Sequence, residues 1–177
     1  ENDVPFDRKD DGRMPAAVWA ARNGHSEVLK WLRNECGVKL SSLKPQAFRY
    51  KNVVHYLAKN GDLETFKWVK ALPWLERPKI DGAKDLESRS VMMYACKSGN
   101  LELVQWLQKE CGLKVSRTKR DQYGTTLGHF AAMSGNVELL EWLLSIGALE
   151  VNALASFTNP LYLKPFEGRL AYTLPHF

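Results

Sequence analysis

The sequence predicts an all-α solenoid, a stack of helix–turn–helix units joined by elongated connectors. One observation is a recurring phrase: Ala20-Ala21-Arg22-Asn23-Gly24, Leu57-Ala58-Lys59-Asn60-Gly61, Ala95-Cys96-Lys97-Ser98-Gly99 and Ala131-Ala132-Met133-Ser134-Gly135. A second is its phase, since a tryptophan stands seven residues after each glycine, at Trp31, Trp68, Trp106 and Trp142. The third is the period. The glycines lie 37, 38 and 36 residues apart, a spacing that marks stacked supersecondary units rather than one closed globule.

Each element follows from the residues around its glycine. Five residues before it comes an aromatic, Trp19, Tyr56, Tyr94 or Phe130, on a short first helix. Small residues near the end of that helix let neighbouring helices approach closely, and the glycine lets the chain reverse. The next residue is His25, Asp62, Asn100 or Asn136. Asp and Asn there cap a second helix, because their oxygens accept its free N–H groups. Two residues further on, Glu27, Glu64, Glu102 and Glu138 complement the helix dipole. Val28-Leu29, Thr65-Phe66, Leu103-Val104 and Leu139-Leu140 then combine with Leu32, Val69, Leu107 and Leu143 into one apolar helix face. The tryptophans lie on that face and are read as packing between units. The first-helix aromatics border the inner face and divide between core and partner contact.

The phrase Asp121-Gln122-Tyr123-Gly124-Thr125-Thr126-Leu127-Gly128-His129-Phe130-Ala131-Ala132-Met133-Ser134-Gly135-Asn136-Val137-Glu138 resembles an ankyrin repeat. The family's Thr-Pro-Leu-His tetrad corresponds to Pro15-Ala16-Ala17-Val18, Asn52-Val53-Val54-His55, Ser90-Val91-Met92-Met93 and Thr126-Leu127-Gly128-His129, of which only the last is close. Asn159-Pro160-Leu161-Tyr162-Leu163 resembles the start of a fifth unit, interrupted by Pro165. The resemblance implies a single contiguous ankyrin-type domain. Its parts are an N-terminal extension (1–9), repeats at 10–45, 46–82, 83–120 and 121–153, and a degenerate fifth repeat or cap at 154–177. The periods exceed the ankyrin norm of about 33 residues, so the surplus belongs in the connectors. The longest runs from Leu75 to Asp85. It is charged, contains Pro78 and Gly82, and reads as an exposed loop.

Composition narrows the function. An apolar fraction of 45% over 177 residues supports a folded core, and no apolar run is long enough to span a bilayer. The start, Glu1-Asn2-Asp3, lacks a methionine and a signal-peptide core, and is read as the interior of a longer chain. Three cysteines, Cys36, Cys96 and Cys111, fit reduced thiols in an intracellular protein, cytoplasmic or nuclear. Phosphate-loop, metal-binding and nucleophile signatures are missing from the sequence, so neither enzymatic activity nor a metal or cofactor is expected. His55 and His129 fall at the tetrad position and are read as ties for the neighbouring turn.

The resemblance implies a monomeric, non-enzymatic module that binds a protein or peptide on its concave and finger face. Carried over residue by residue, the contact positions include Phe48, Arg49, Lys51 and Lys59 in repeat 2, Leu86, Arg89 and Lys97 in repeat 3, and Tyr123 and Met133 in repeat 4. Their basic members, with a net charge of +5, suggest a groove for an acidic partner. A second candidate is the connector stretch holding Lys114, Arg117, Lys119 and Arg120, read either as a solvated loop or as a patch for an acidic peptide, a phosphopeptide, a nucleic acid or a lipid head group. A third reading makes the domain the targeting or regulatory part of a larger enzyme.

Overall fold

A computed structural model of the chain describes residues 14–43 and 51–151. Among the described residues, eight α-helices form four antiparallel pairs: α1 (Ala16–Arg22) with α2 (Ser26–Asn34), α3 (Val53–Asn60) with α4 (Leu63–Ala71), α5 (Val91–Ser98) with α6 (Leu101–Cys111), and α7 (Leu127–Ser134) with α8 (Val137–Ser145). A 3-10 turn, Leu40–Ser42, follows α2. Two isolated β-bridges join described residues to each other, Lys84 with Ser90 and Arg120 with Thr126. The N-terminal extension, Phe48, Arg49 and the fifth unit at 154–177 lie outside the described residues.

The turn between the two helices of a unit is a local construction. Gly61, Gly99 and Gly135 end the first helices with φ of 71°, 76° and 73°, the left-handed region that glycine enters without a Cβ clash. Asp62, Asn100 and Asn136 then cap the second helices, accepting N–H groups of Thr65, Leu103 and Leu139 at 2.9, 2.9 and 3.1 Å. His25 occupies the same place in the first unit but makes no cap bond with its side chain.

Asn100 and Asn136 also fasten unit to unit. Their Nδ2 groups donate to the Gly61 and Gly99 carbonyls of the preceding turn at 2.9 and 2.7 Å. The Asp62 side chain has no N–H to donate. Its junction is closed instead by a hydrogen bond from the Ser26 hydroxyl and by Asn60 Nδ2 donating to the Ala21 carbonyl at 2.9 Å.

The first helices pack side by side, α1 on α3, α3 on α5 and α5 on α7. Ala21, Ala58, Ala95, Cys96 and Ala131 are fully buried there, so small residues set the close spacing. A Cβ at Gly99 would stand 3.1 Å from Ser134 Cβ, which shows how tightly the turns approach. The second helices lie behind this row and present larger side chains. The first helices pack more closely than the second, and closer packing on one side of a repeat stack makes that side the concave one.

A continuous core runs from Met14 to Ala148. Leu29, Phe66, Val69, Leu103, Val104, Leu107, Leu139 and Leu143 are buried in it, as the helix-face pattern requires. Of the tryptophans, read from the sequence as packing between units, Trp31 departs from that expectation. Trp68, Trp106 and Trp142 are only partly buried, packed against the core edge, and Trp31 is 53% exposed. Trp106 shows the reason, since its ring meets Phe66 of the preceding unit with centroids 6.3 Å apart. Trp106 therefore covers the seam to the preceding unit, whereas Trp31 belongs to the first described unit. Val28 of α2 is exposed too, whereas its counterparts Thr65, Leu103 and Leu139 are buried.

Candidate functional site

Two lengthened connectors shape the surface, residues 72–90 between α4 and α5 and residues 112–126 between α6 and α7. Each ends in a finger built on one buried aspartate. Asp85 Oδ1 accepts the Glu87 and Arg89 N–H groups at 2.9 and 2.8 Å. Asp121 Oδ1 does the same for Tyr123 and Thr125, at 2.9 and 2.8 Å. The Gln122 N–H donates to the Glu87 carbonyl at 3.0 Å and ties finger to finger. At the helix starts, the imidazole Nδ1 groups of His55 and His129 accept the Asn52 and Thr126 N–H groups, each at 3.2 Å. The tetrad histidines thus tie down their turns.

Arg89 sits at the centre of this scaffold. Its Nε donates to Asp121 Oδ2 at 3.1 Å and one Nη to Glu87 Oε2 at 2.9 Å. Both carboxylates are buried. The guanidinium also stands 5.7 Å from the ring centres of Tyr123 and of Phe130. The sequence reading placed Arg89 and Tyr123 on the contact surface. In the structure the Arg89 charge is consumed within the molecule, because two buried carboxylates need a cation, and Tyr123 stacks on it. Tyr94 donates its hydroxyl to Asp85 Oδ2 at 2.6 Å. Burial, together with that carboxylate, raises the Tyr94 pKa well above the ordinary phenol value. Lys51 lies over the Tyr94 ring at 5.0 Å, and burial lowers its pKa against the pull of Asp85 and Glu87.

The remaining inner positions face outward. Lys59, Lys97 and Met133 occupy one position in three successive units, two residues before the turn glycine, on α3, α5 and α7. All three are exposed, Met133 at 62%. Arg22 holds the same position on α1, where it lies 4.8 Å from the centre of the Trp19 ring. Leu86, 58% exposed, projects from the finger above them. Lys59 and Lys97 have no ion-pair partner among the described residues.

The four connector cations separate into three situations. Arg120 is committed, donating to the Gly124 carbonyl at 3.0 Å and reaching Glu150 at 3.4 Å. Lys114 and Lys119 are exposed on the rim of a cleft between the two connectors, whereas Arg117, exposed as well, stands outside that lining. Residues that the sequence reading left as plain loop also shape this side. Trp74 is 74% exposed and Leu75 is exposed beside it. A run of apolar side chains inside a charged loop was the available signal.

All three cysteines carry free thiols, and burial raises the Cys96 pKa to about 12. No described helix is long and apolar enough to cross a membrane. Comparison with known proteins agrees with the geometry. The family model for ankyrin repeats, which describes three copies, matches residues 17–118 and again 54–154. No curated protein matches the chain. Ankyrin repeats are generally protein–protein interaction modules and typically non-enzymatic. The match spans the helix pairs, the glycine turns and the aspartate-built fingers just described, and on it the chain belongs to the ankyrin repeat family.

Proposed function

We propose that the concave, first-helix face binds a protein or peptide partner of acidic character. One observation carries the reading: Lys59, Lys97 and Met133 form an exposed row on three adjacent helices, while the polar groups around them are spent on the scaffold. Two uncommitted ammonium groups beside a large apolar side chain suit an acidic segment with an apolar contact. Leu86 at the finger, Lys51 at the edge of α3, and the Trp19–Arg22 pair extend the surface. Phe48 and Arg49 belong to the same proposed surface by repeat phase. Three unpaired thiols support a reducing, intracellular setting.

Panning a random-peptide display library on the domain tests this. Enriched peptides should be rich in Asp and Glu. Their affinity should fall about tenfold or more in the K59E/K97E/M133E variant, with thermal stability unchanged because all three positions are exposed. Glu138→Lys on the opposite face should leave binding intact. Equal affinity for the triple variant would remove the concave face from the interface.

A further inference from the structure

The two long connectors enclose a cleft of about 310 Å3 that shares no residue with the Lys59–Lys97–Met133 row. Its walls are apolar, contributed by Ile80 and Leu113 of the connectors and by Val91 and Met93 of α5. Val91, Met93 and Leu113 are core residues, so the cleft reaches down to the packed interior. Its rim is cationic. Lys84, Lys114 and Lys119 are exposed there and have no ion-pair partner among the described residues, and Asp81 is the one acid in the lining. Beyond Ile80 and Asp81, which both hollows share, a second one continues past Lys79 and Arg77 to Trp74.

An apolar recess ringed by uncommitted ammonium groups fits a ligand that is itself amphipathic. The volume is at the lower end for a ligand site, enough for one or two apolar side chains. We propose that this connector cleft is a second docking site, taking an acidic peptide segment that inserts an apolar anchor between Ile80, Met93 and Leu113 while its carboxylates meet Lys84, Lys114 and Lys119. Charge complementarity selects the acidic segment, and the buried floor selects the anchor. A flat bilayer cannot enter a recess, and a phosphate backbone has no use for an apolar floor. The exposed Trp74 ring, at the end of the adjoining hollow, offers the same peptide a second apolar contact. The two connectors and the start of α5 thus build the cleft together.

Fluorescence anisotropy with defined heptapeptides tests the proposal. The probe carries Glu and Asp around a central Phe-Leu. One control replaces Phe-Leu by Ala-Ala, and another replaces the acids by Lys. The acidic, anchored peptide should bind saturably. Affinity should fall tenfold or more without the anchor, and as much in the K84E/K114E/K119E variant, whose exposed substitutions leave the melting temperature in place. Ile80 and Leu113 methyl resonances should shift on binding. The K59E/K97E/M133E variant should keep binding at the cleft with the same Ile80 and Leu113 methyl shifts and lose only binding at the concave row, so failure of the concave-face reading and failure of this one are separate results. Equal binding of the Ala-Ala control overturns the anchored mode. So does lysine-dependent binding of single-stranded DNA or phosphatidylserine vesicles in the absence of peptide binding, or binding without a methyl shift.

Discussion

Asp85 and Asp121 show how much one carboxylate can organise. Each holds two backbone N–H groups of its own finger, and Arg89 links the second aspartate to Glu87 of the first finger. Arg89→Ala leaves both acids buried without their cation, and the expected loss is about 3–5 kcal/mol of unfolding free energy. Urea denaturation measures it. Unchanged stability with weakened partner binding would instead return Arg89 to the interface. His55 is the other residue with a sharp consequence. Burial lowers its imidazole pKa from 6.5 to about 4, with Asp85 opposing the shift and Lys51 assisting it. The folded state therefore takes up its proton at lower pH than the unfolded chain. Stability from this group is whole above pH 6.5 and declines as pH falls toward 4. The loss approaches roughly 3 kcal/mol, at a slope of up to about 1.4 kcal/mol per pH unit. His55→Leu should lack this slope in urea titrations across the window; parallel curves for the two proteins would count against it.

The helix pairs owe their ends to short-range chemistry and their stacking to long-range chemistry. Asn100 does both, capping α6 through Oδ1 and donating to Gly61 of the previous unit through Nδ2. Asn100→Asp keeps the cap and loses the donor, an expected cost of about 1 kcal/mol. Asn100→Ala loses both and should cost about 2 kcal/mol. Equal costs in thermal or urea unfolding would mean that the junction bond contributes nothing. The cap was legible in the sequence, because capping depends on a residue and its neighbours three positions on. The junction bond was not, since it joins residues 39 apart. The tryptophans divide the same way. Their helical phase was legible, but the exposure of Trp31 depends on which neighbour its edge faces. For Trp106 that edge meets the preceding unit, at Phe66.

The whole stack carries two surfaces of different origin. The concave row arises from the repeat itself, because Lys59, Lys97 and Met133 recur in phase and close helix packing sets them side by side. The connector cleft arises between the repeats' helices, where the two long connectors meet the start of α5. Its cations Lys114 and Lys119 could be picked out as a charge run, but their apolar floor comes from residues over 20 positions earlier, Val91 and Met93. Period, helix pairing, glycine turns and caps were open to reading in the chain alone, because each rests on interactions within a few residues. Which charges are available was settled only by folding. Arg89 and Arg120 look no different from Lys97 and Lys119 in the sequence. They are consumed because Asp121 and Glu150, 32 and 30 residues away, are brought within 3.1 and 3.4 Å, and a charge that has found its partner has little left to offer another molecule.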